Sequence, residues 1–509
     1  MKVHLDRWEP EESDFWQSTG KSIAFRNLWI SIPCLLCGFA VWLYWSIITV
    51  QMQNLGFPFS RDQLYTLSAI AGLAGATLRI PNSFFIALCG GRNVIAVTTA
   101  LLIVPSLGVG MALQDPETSY FTFALFAALS GIGGGAFASS MSNISFFFPK
   151  RMQGLSLGLN AGLGNVGVSI MQVALPFVMT FGLFGALGGE PRTLPEELGG
   201  ASVWIQNAGL IWVPVLALLA LVAWFGMNNV HDVGPAGPAI LKMLWLSLLG
   251  LATSAVGLFL LLGRGWNMWL VLPITIALTV AMMRYATPRP VQDNLRQQFA
   301  IFGKKHNWVM TWLYTMTFGS FIGYSAAFPK LIQDVYGSLP DGSLNPNAPN
   351  PLAYAWLGPL VGSLIRPVGG WLSDRLGGAR VTHWDTIVMI ASTIGVAYYV
   401  RLAGESARPE EHFLPFLLLF LLLFVTTGIG NGSTFRMVPI IFEPKLAGPV
   451  LGWISAVAAY GAFIIPRVFG TQIERGTPEV ALYGFAVYYA SCLVVNWWFY
   501  ARKNAEKSC

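Results

Sequence analysis

Charge is what this sequence has least of. Only 11% of its 509 residues are Asp, Glu, Lys or Arg, while 54% are hydrophobic and the mean hydropathy is +0.59. A soluble globular chain carries about a quarter charged residues, so a cytosolic enzyme, a disordered scaffold and a nucleic-acid binder are all excluded. Cysteine is scarce too. Cys34, Cys37, Cys89 and Cys492 sit in apolar stretches and Cys509 is the last residue. They form neither a metal-ligand spacing nor a disulfide framework. The five histidines, His4, His231, His306, His383 and His412, fall at predicted helix ends or in loops, so no membrane-embedded metal site and no cofactor are expected. Residues 1–26 are polar and include Trp8-Glu9-Pro10-Glu11-Glu12. The apolar run that follows is too long for the core of a signal peptide.

What the chain has in abundance is long apolar runs. A helix needs about 20 apolar residues to cross the hydrocarbon. Candidate spans are 27–50, 63–88, 93–113, 119–147, 152–182, 203–227, 239–263, 266–283, 306–330, 352–373, 382–402, 412–440, 447–467 and 480–501, fourteen in all. Each must satisfy its own backbone hydrogen bonds in lipid, so helices are forced. With the N-terminus placed inside, nineteen of the thirty Lys and Arg fall on the inner side, eight on the outer side and three within spans. Lys150-Arg151, the 284–305 linker and Arg502-Lys503-Lys507 form the inner clusters. This is the positive-inside pattern with both termini cytoplasmic.

The two halves repeat. Gly75-x-x-x-Arg79 precedes Gly90-Gly91, and Gly362-x-x-x-Arg366 precedes Gly377-Gly378, with identical arginine-to-glycine spacing. Gly133-x-Gly135 leads to Phe147-Phe148-Pro149-Lys150, as Gly428-x-Gly430 leads to Phe442-Glu443-Pro444-Lys445. Gly154, Leu157, Gly158 and Gly167 match Gly448, Leu451, Gly452 and Gly461. Any one match is weak in a glycine-rich chain, but the ordered set is strong. Parallel six-helix halves resemble the layout of the major facilitator superfamily, whose signature loop is similar to Gly369-Gly370-Trp371-Leu372-Ser373-Asp374-Arg375-Leu376-Gly377-Gly378. The expected fold is therefore an all-α polytopic membrane protein of two six-helix bundles plus two extra transmembrane helices between them. Its segments are a cytoplasmic 1–26, a bundle 27–230, the inserted helices and basic linker 231–305, a second bundle 306–501 and a tail 502–509.

Acidic residues are missing from the membrane interior. Every Asp and Glu reads as lying in a loop, a tail or a span end, with Asp374, Asp385 and Glu443 nearest to exceptions. Arg79 and Arg366 fall near the midplane, about 16 Å from Gly90 and Gly377 at about 1.5 Å per residue. An arginine at that depth costs about 2.5–3.5 kcal/mol on insertion scales. Such groups can bond backbone carbonyls or snorkel, but symmetry, depth and missing counter-ions point to an anion site between the halves. Arg436 lies nearer the cytoplasmic end and reads as a structural or gating group with Asp374 and Arg375. Phe137, Asn165, Tyr314, Phe318 and Ser455 reach the same depth as the two arginines. Gly158, Gly162, Gly164 and Gly167 permit close helix contact, and Gly162 and Gly164 could also let backbone approach a small ligand.

Leu78-Arg79-Ile80-Pro81, the run from Phe137 to Lys150, Thr317-Phe318-Gly319-Ser320-Phe321-Ile322-Gly323 and the glycine-rich stretch Gly158 to Ser169 resemble the nitrate/nitrite porter family, in particular its bacterial NarK-type members. The chain departs from the family at Ala161, a common glycine position, and in the second signature, which gains Tyr460. The resemblance implies a site of Arg79 and Arg366 with Tyr314 and Asn165 as donors, and Phe137 and Phe318 sandwiching a planar anion. It implies nitrate and nitrite as partners, with membrane lipid and no nucleic acid, a monomeric transport unit in a bacterial inner membrane, and exchange by alternating access. Proton-coupled nitrate symport is the alternative. A channel would need a continuous polar pore, an enzyme a catalytic constellation and a sensor binding without movement; the sequence favours none of the three.

Overall fold

The computed structural model describes residues 4, 5, 7–230 and 233–509; His231 lies outside them. The chain is almost wholly helical. A two-stranded antiparallel ribbon, Arg192–Thr193 with Ser202–Val203, sits in the loop after the Lys150–Val178 helix.

Eleven helical stretches among the described residues are long and apolar enough to cross a membrane. Three further long helical stretches are more polar: Arg61–Asn82; Lys305–Tyr314 continued through a π-turn, Thr315–Gly319, into Ser320–Tyr336; and Leu357–Leu376. These three carry Arg79, Tyr314 with Phe318, and Arg366. The long helices that fall short of that apolarity are those that bring polar groups inward.

The repeat has a backbone counterpart. Gly90 (φ 80, ψ 140) and Gly377 (φ 88, ψ 134) make the same left-handed turn between consecutive helices, a conformation glycine adopts without steric cost. Gly75 and Gly362 serve close packing instead. A side chain at Gly75 would strike the Trp42 ring, and one at Gly362 the Phe321 ring.

Several expected straight spans are broken. The Arg61–Asn82 helix starts on a capping box, in which Ser60 Oγ accepts from Gln63 N (3.2 Å) and Gln63 Oε1 from Ser60 N (2.9 Å). It ends just past Pro81, and a separate short helix, Phe85–Cys89, follows. The straight-helix estimate of Arg79's depth, counted from Gly90, therefore crosses a break at Ser83–Phe84. On the Arg366 side, Leu357–Leu376 runs unbroken to Gly377. Pro444–Ala458 and Gly461–Glu474 are likewise separate helices, joined at Ala459–Tyr460.

The inserted pair, Ala236–Leu258 and Met268–Tyr285, packs on the first half of the chain. Gly250 lies against Leu78 and Pro81 on the Arg79 helix, and Thr279 Oγ1 donates to Thr253 Oγ1 (2.9 Å) between the two inserted helices.

The expectation that all acids avoid the interior is overturned. Asp385 lies well inside the Gly378–Glu405 helix, only 8% exposed, and its Oδ2 has no partner. Asp334 keeps the expected span-end place, two residues before the end of the Ser320–Tyr336 helix, with its side chain buried beside Lys330 (2.5 Å). Hydropathy averaged over a span does not register a single acid whose charge is sheltered by packing or by a cation one helical turn away.

Candidate functional site

Arg79 is completely buried. Its Nε donates to Gly134 O (2.9 Å) in the Tyr120–Phe147 helix, and its Nη1 donates to Ser455 O (3.1 Å) across the interface with the second half. Nη2 is buried without a partner. Three aromatic rings surround the guanidinium, with Cζ 4.7 Å from the Phe137 centroid, 4.9 Å from Phe318 and 5.4 Å from Trp42. No carboxylate pairs with Arg79 among the described residues.

Arg366 is partly exposed. Its Nη2 donates to Tyr314 Oη (3.3 Å), Phe435 lies 5.8 Å from its Cζ, and Nη1 is a buried atom without a partner. Tyr314 stacks on Phe318 (5.7 Å, 12°), and Phe318 stacks on Phe137 (6.1 Å, 23°). A continuous aromatic stack thus joins the surroundings of the two arginines. The π-turn at Thr315–Gly319 widens the helix where Phe318 projects; such turns recur at functional sites.

A flat ion between two faces needs about 7 Å, two contacts of about 3.5 Å each. The Phe137–Phe318 separation is about 1 Å short of that, so the rings must part slightly to admit one.

The remaining candidates fall into different roles. Asn165 is buried with its Oδ1 unpartnered. The Ser455 hydroxyl bonds back to Gly452 O (2.9 Å), so this residue serves Arg79 through its carbonyl. Gly162 faces open space, as do Gly154 and Gly158, whereas Gly164 lies against Leu35 and Gly167 against the Leu36 backbone. The four glycines therefore do not share the close-contact role expected of them, because the helix turns each pair to a different side. Arg436 pairs with Asp374, both well exposed, and Arg375 lies over Trp371 (4.2 Å).

A cavity of about 410 Å³ runs from Phe137 and Ser455 past Ser83, Ser142 and Gly448 toward the end of the molecule that carries Phe302. The opposite end is closed by polar bonds between the halves. Arg467 donates to Asp62 and to Thr66 (2.9 Å), Lys330 donates to Gln53, and Ser60 Oγ donates to Glu474 (3.2 Å). Sequence reasoning missed this closure and Trp42. Its one visible signal was charge clustered at span ends.

A repeated helical membrane protein with a cavity open from one end to Phe137 and Ser455, which both touch Arg79, and a polar seal at the other end, has the build of a secondary transporter. Residues 30–466 match the family model of the Major Facilitator Superfamily, and the chain belongs to that superfamily and to its nitrate/nitrite porter family. It is 40% identical over 504 residues to the probable nitrate/nitrite antiporter NarK2 of Thermus thermophilus, covering 99% of this chain and 97% of that one. Identity is 37% to the nitrate/nitrite transporter NarU of Salmonella typhimurium, with 99% and 97% covered. Among solved structures, a D-xylose-proton symporter has the same fold, with a TM-score of 0.60, 14% identity and 93% and 97% coverage.

Proposed function

We propose that this chain carries nitrate and nitrite across a bacterial cytoplasmic membrane by exchange, as a monomeric unit with both termini in the cytoplasm. The carrying observation is the pair of arginines, each with a buried unpartnered Nη atom and neither paired with a carboxylate among the described residues, joined through Tyr314, Phe318 and Phe137. The names of the relatives, nitrate/nitrite antiporter and transporter, support the substrate.

Guanidinium forks suit flat oxyanions because they offer parallel donors. Aromatic faces exclude water and fix the plane of the ion. A flat slot rejects tetrahedral phosphate and sulfate by shape, and directional donors disfavour chloride. Residues 27–230, with the insert at 231–305, rock against 306–501. An unoccupied site holds two uncompensated cations, and enclosing them in a dry cavity is costly. A bound anion offsets part of that cost, so the loaded carrier turns over and the unloaded one does so slowly. The 410 Å³ cavity corresponds to the cytoplasm-facing state, sealed outward by Asp62–Arg467 and its neighbours.

Proton-coupled symport is the second reading; the observation that favours it is the buried Asp385, whose Oδ2 has no partner. The test is counterflow in reconstituted vesicles. Labelled nitrate should accumulate against internal nitrite or nitrate and not against chloride or formate. Rapid uptake into vesicles holding no anion, driven by a proton gradient, would replace exchange with symport.

A further inference from the structure

We infer that Trp42 is a positioning residue for the anion site. It holds the Arg79 guanidinium against the Phe137–Phe318 pair and takes part of the role a counter-carboxylate would play. The inference rests on the nitrate/nitrite reading above and adds to it a residue that touches Arg79 and does not line the cavity.

Trp42 is wholly buried near the end of the Lys21–Leu43 helix. Its indole Nε1 donates to Ala71 O (2.7 Å), which ties the ring to the helix that bears Arg79, two turns away. The Arg79 Cζ lies 5.4 Å from the ring centroid, within reach of a cation–π attraction. Phe39 packs on Trp42 (5.9 Å) and on Phe137 (5.9 Å), so the floor and the wall of the site share one support. The ring is also given its place by two glycines on different helices: a Cβ on either Gly75 or Gly134 would run into it. Gly134 is also the residue whose carbonyl accepts from Arg79 Nε. One glycine therefore makes room for the indole and supplies the carbonyl that fixes the guanidinium beside it.

The chemistry explains the missing acid. A carboxylate against Arg79 would neutralise it and compete with the transported anion. An indole face and two carbonyls stabilise the cation with partial charges only. Nη2 stays free, and the full charge remains available to an oxyanion. In this structure Trp42 faces Arg79 rather than the cavity, so it acts through the arginine.

The test is nitrate counterflow in vesicles with W42F and W42L, fitted for KM and maximal rate separately. W42F keeps a ring over the guanidinium and loses the bond to Ala71. W42L keeps apolar bulk and loses the ring. The expected order of affinity is wild type, then Phe, then Leu, with KM raised about tenfold in W42L and the maximal rate changed by less than about threefold. Should W42L fail to accumulate in the membrane, W42F alone carries the test with a KM rise of about threefold. A double variant with R366K separates the arginines. Because Trp42 acts through Arg79, its effect on KM should persist unchanged there. A W42L or W42F carrier with wild-type KM, or one that loses only maximal rate, overturns the assignment. Absence of nitrate counterflow in the wild-type protein instead overturns the substrate reading on which the assignment rests.

Discussion

Arg79 and Arg366 occupy corresponding places in a repeated motif, yet they have different surroundings. Arg79 is sealed, bonded to carbonyls from both halves and boxed by three rings. Arg366 is partly open, with a tyrosine hydroxyl from its own half and one distant ring. The repeat fixes where each guanidinium starts, and the helices packed around it fix how strongly it is held. A sealed cation gains more from a bound anion than a partly solvated one, since desolvation strengthens every charge interaction. On the proposed reading, the difference gives Arg79 the larger share of binding and Arg366 the smaller.

The comparison can be broken most directly by replacing each arginine with lysine. An ammonium cannot keep both carbonyl bonds and still present a fork. Arg79→Lys should therefore cut nitrate counterflow by about 100-fold, and Arg366→Lys by about tenfold. Equal losses would abolish the distinction, and near-normal rates in both would remove the arginines from the site. Tyr314→Phe touches the Arg366 side alone, and loss of its bond should raise KM about fivefold. On the sealed side of the molecule, Asp62→Asn removes a partly buried bond between the halves and should change turnover by about threefold. The reversed pair, Asp62→Arg with Arg467→Asp, should restore the wild-type rate if the bond itself matters. The smallest effect concerns the glycines. Gly164→Ala presses on Leu35 and should lower the Tm of the purified protein by about 2 °C, whereas Gly162→Ala, with open space before it, should leave the Tm unchanged.

The arginines, the aromatic partners and the repeat were legible because each leaves a mark in one dimension. A basic residue in an apolar run is conspicuous, and Gly90 and Gly377 keep their offset because both need the same positive φ. The interior acid was hidden. Asp385 looks like a span-end residue until neighbouring helices cover it. Ser455 was legible by depth but not by role, since its hydroxyl turns back to its own helix. Trp42 was one of 19 tryptophans, and nothing in its flanking residues singles it out.

Composition and spacing alone determined a helical membrane protein with a duplicated half and two uncompensated arginines inside it. Those properties follow from the cost of burying backbone and charge in lipid, and that cost applies residue by residue. Only the tertiary structure decided that a cavity runs from one end to Phe137 and Ser455 beside Arg79, that the other end is closed by bonds such as Asp62–Arg467, and that an indole rather than a carboxylate lies beside Arg79. These are contacts between helices far apart in the chain, and each depends on which faces meet.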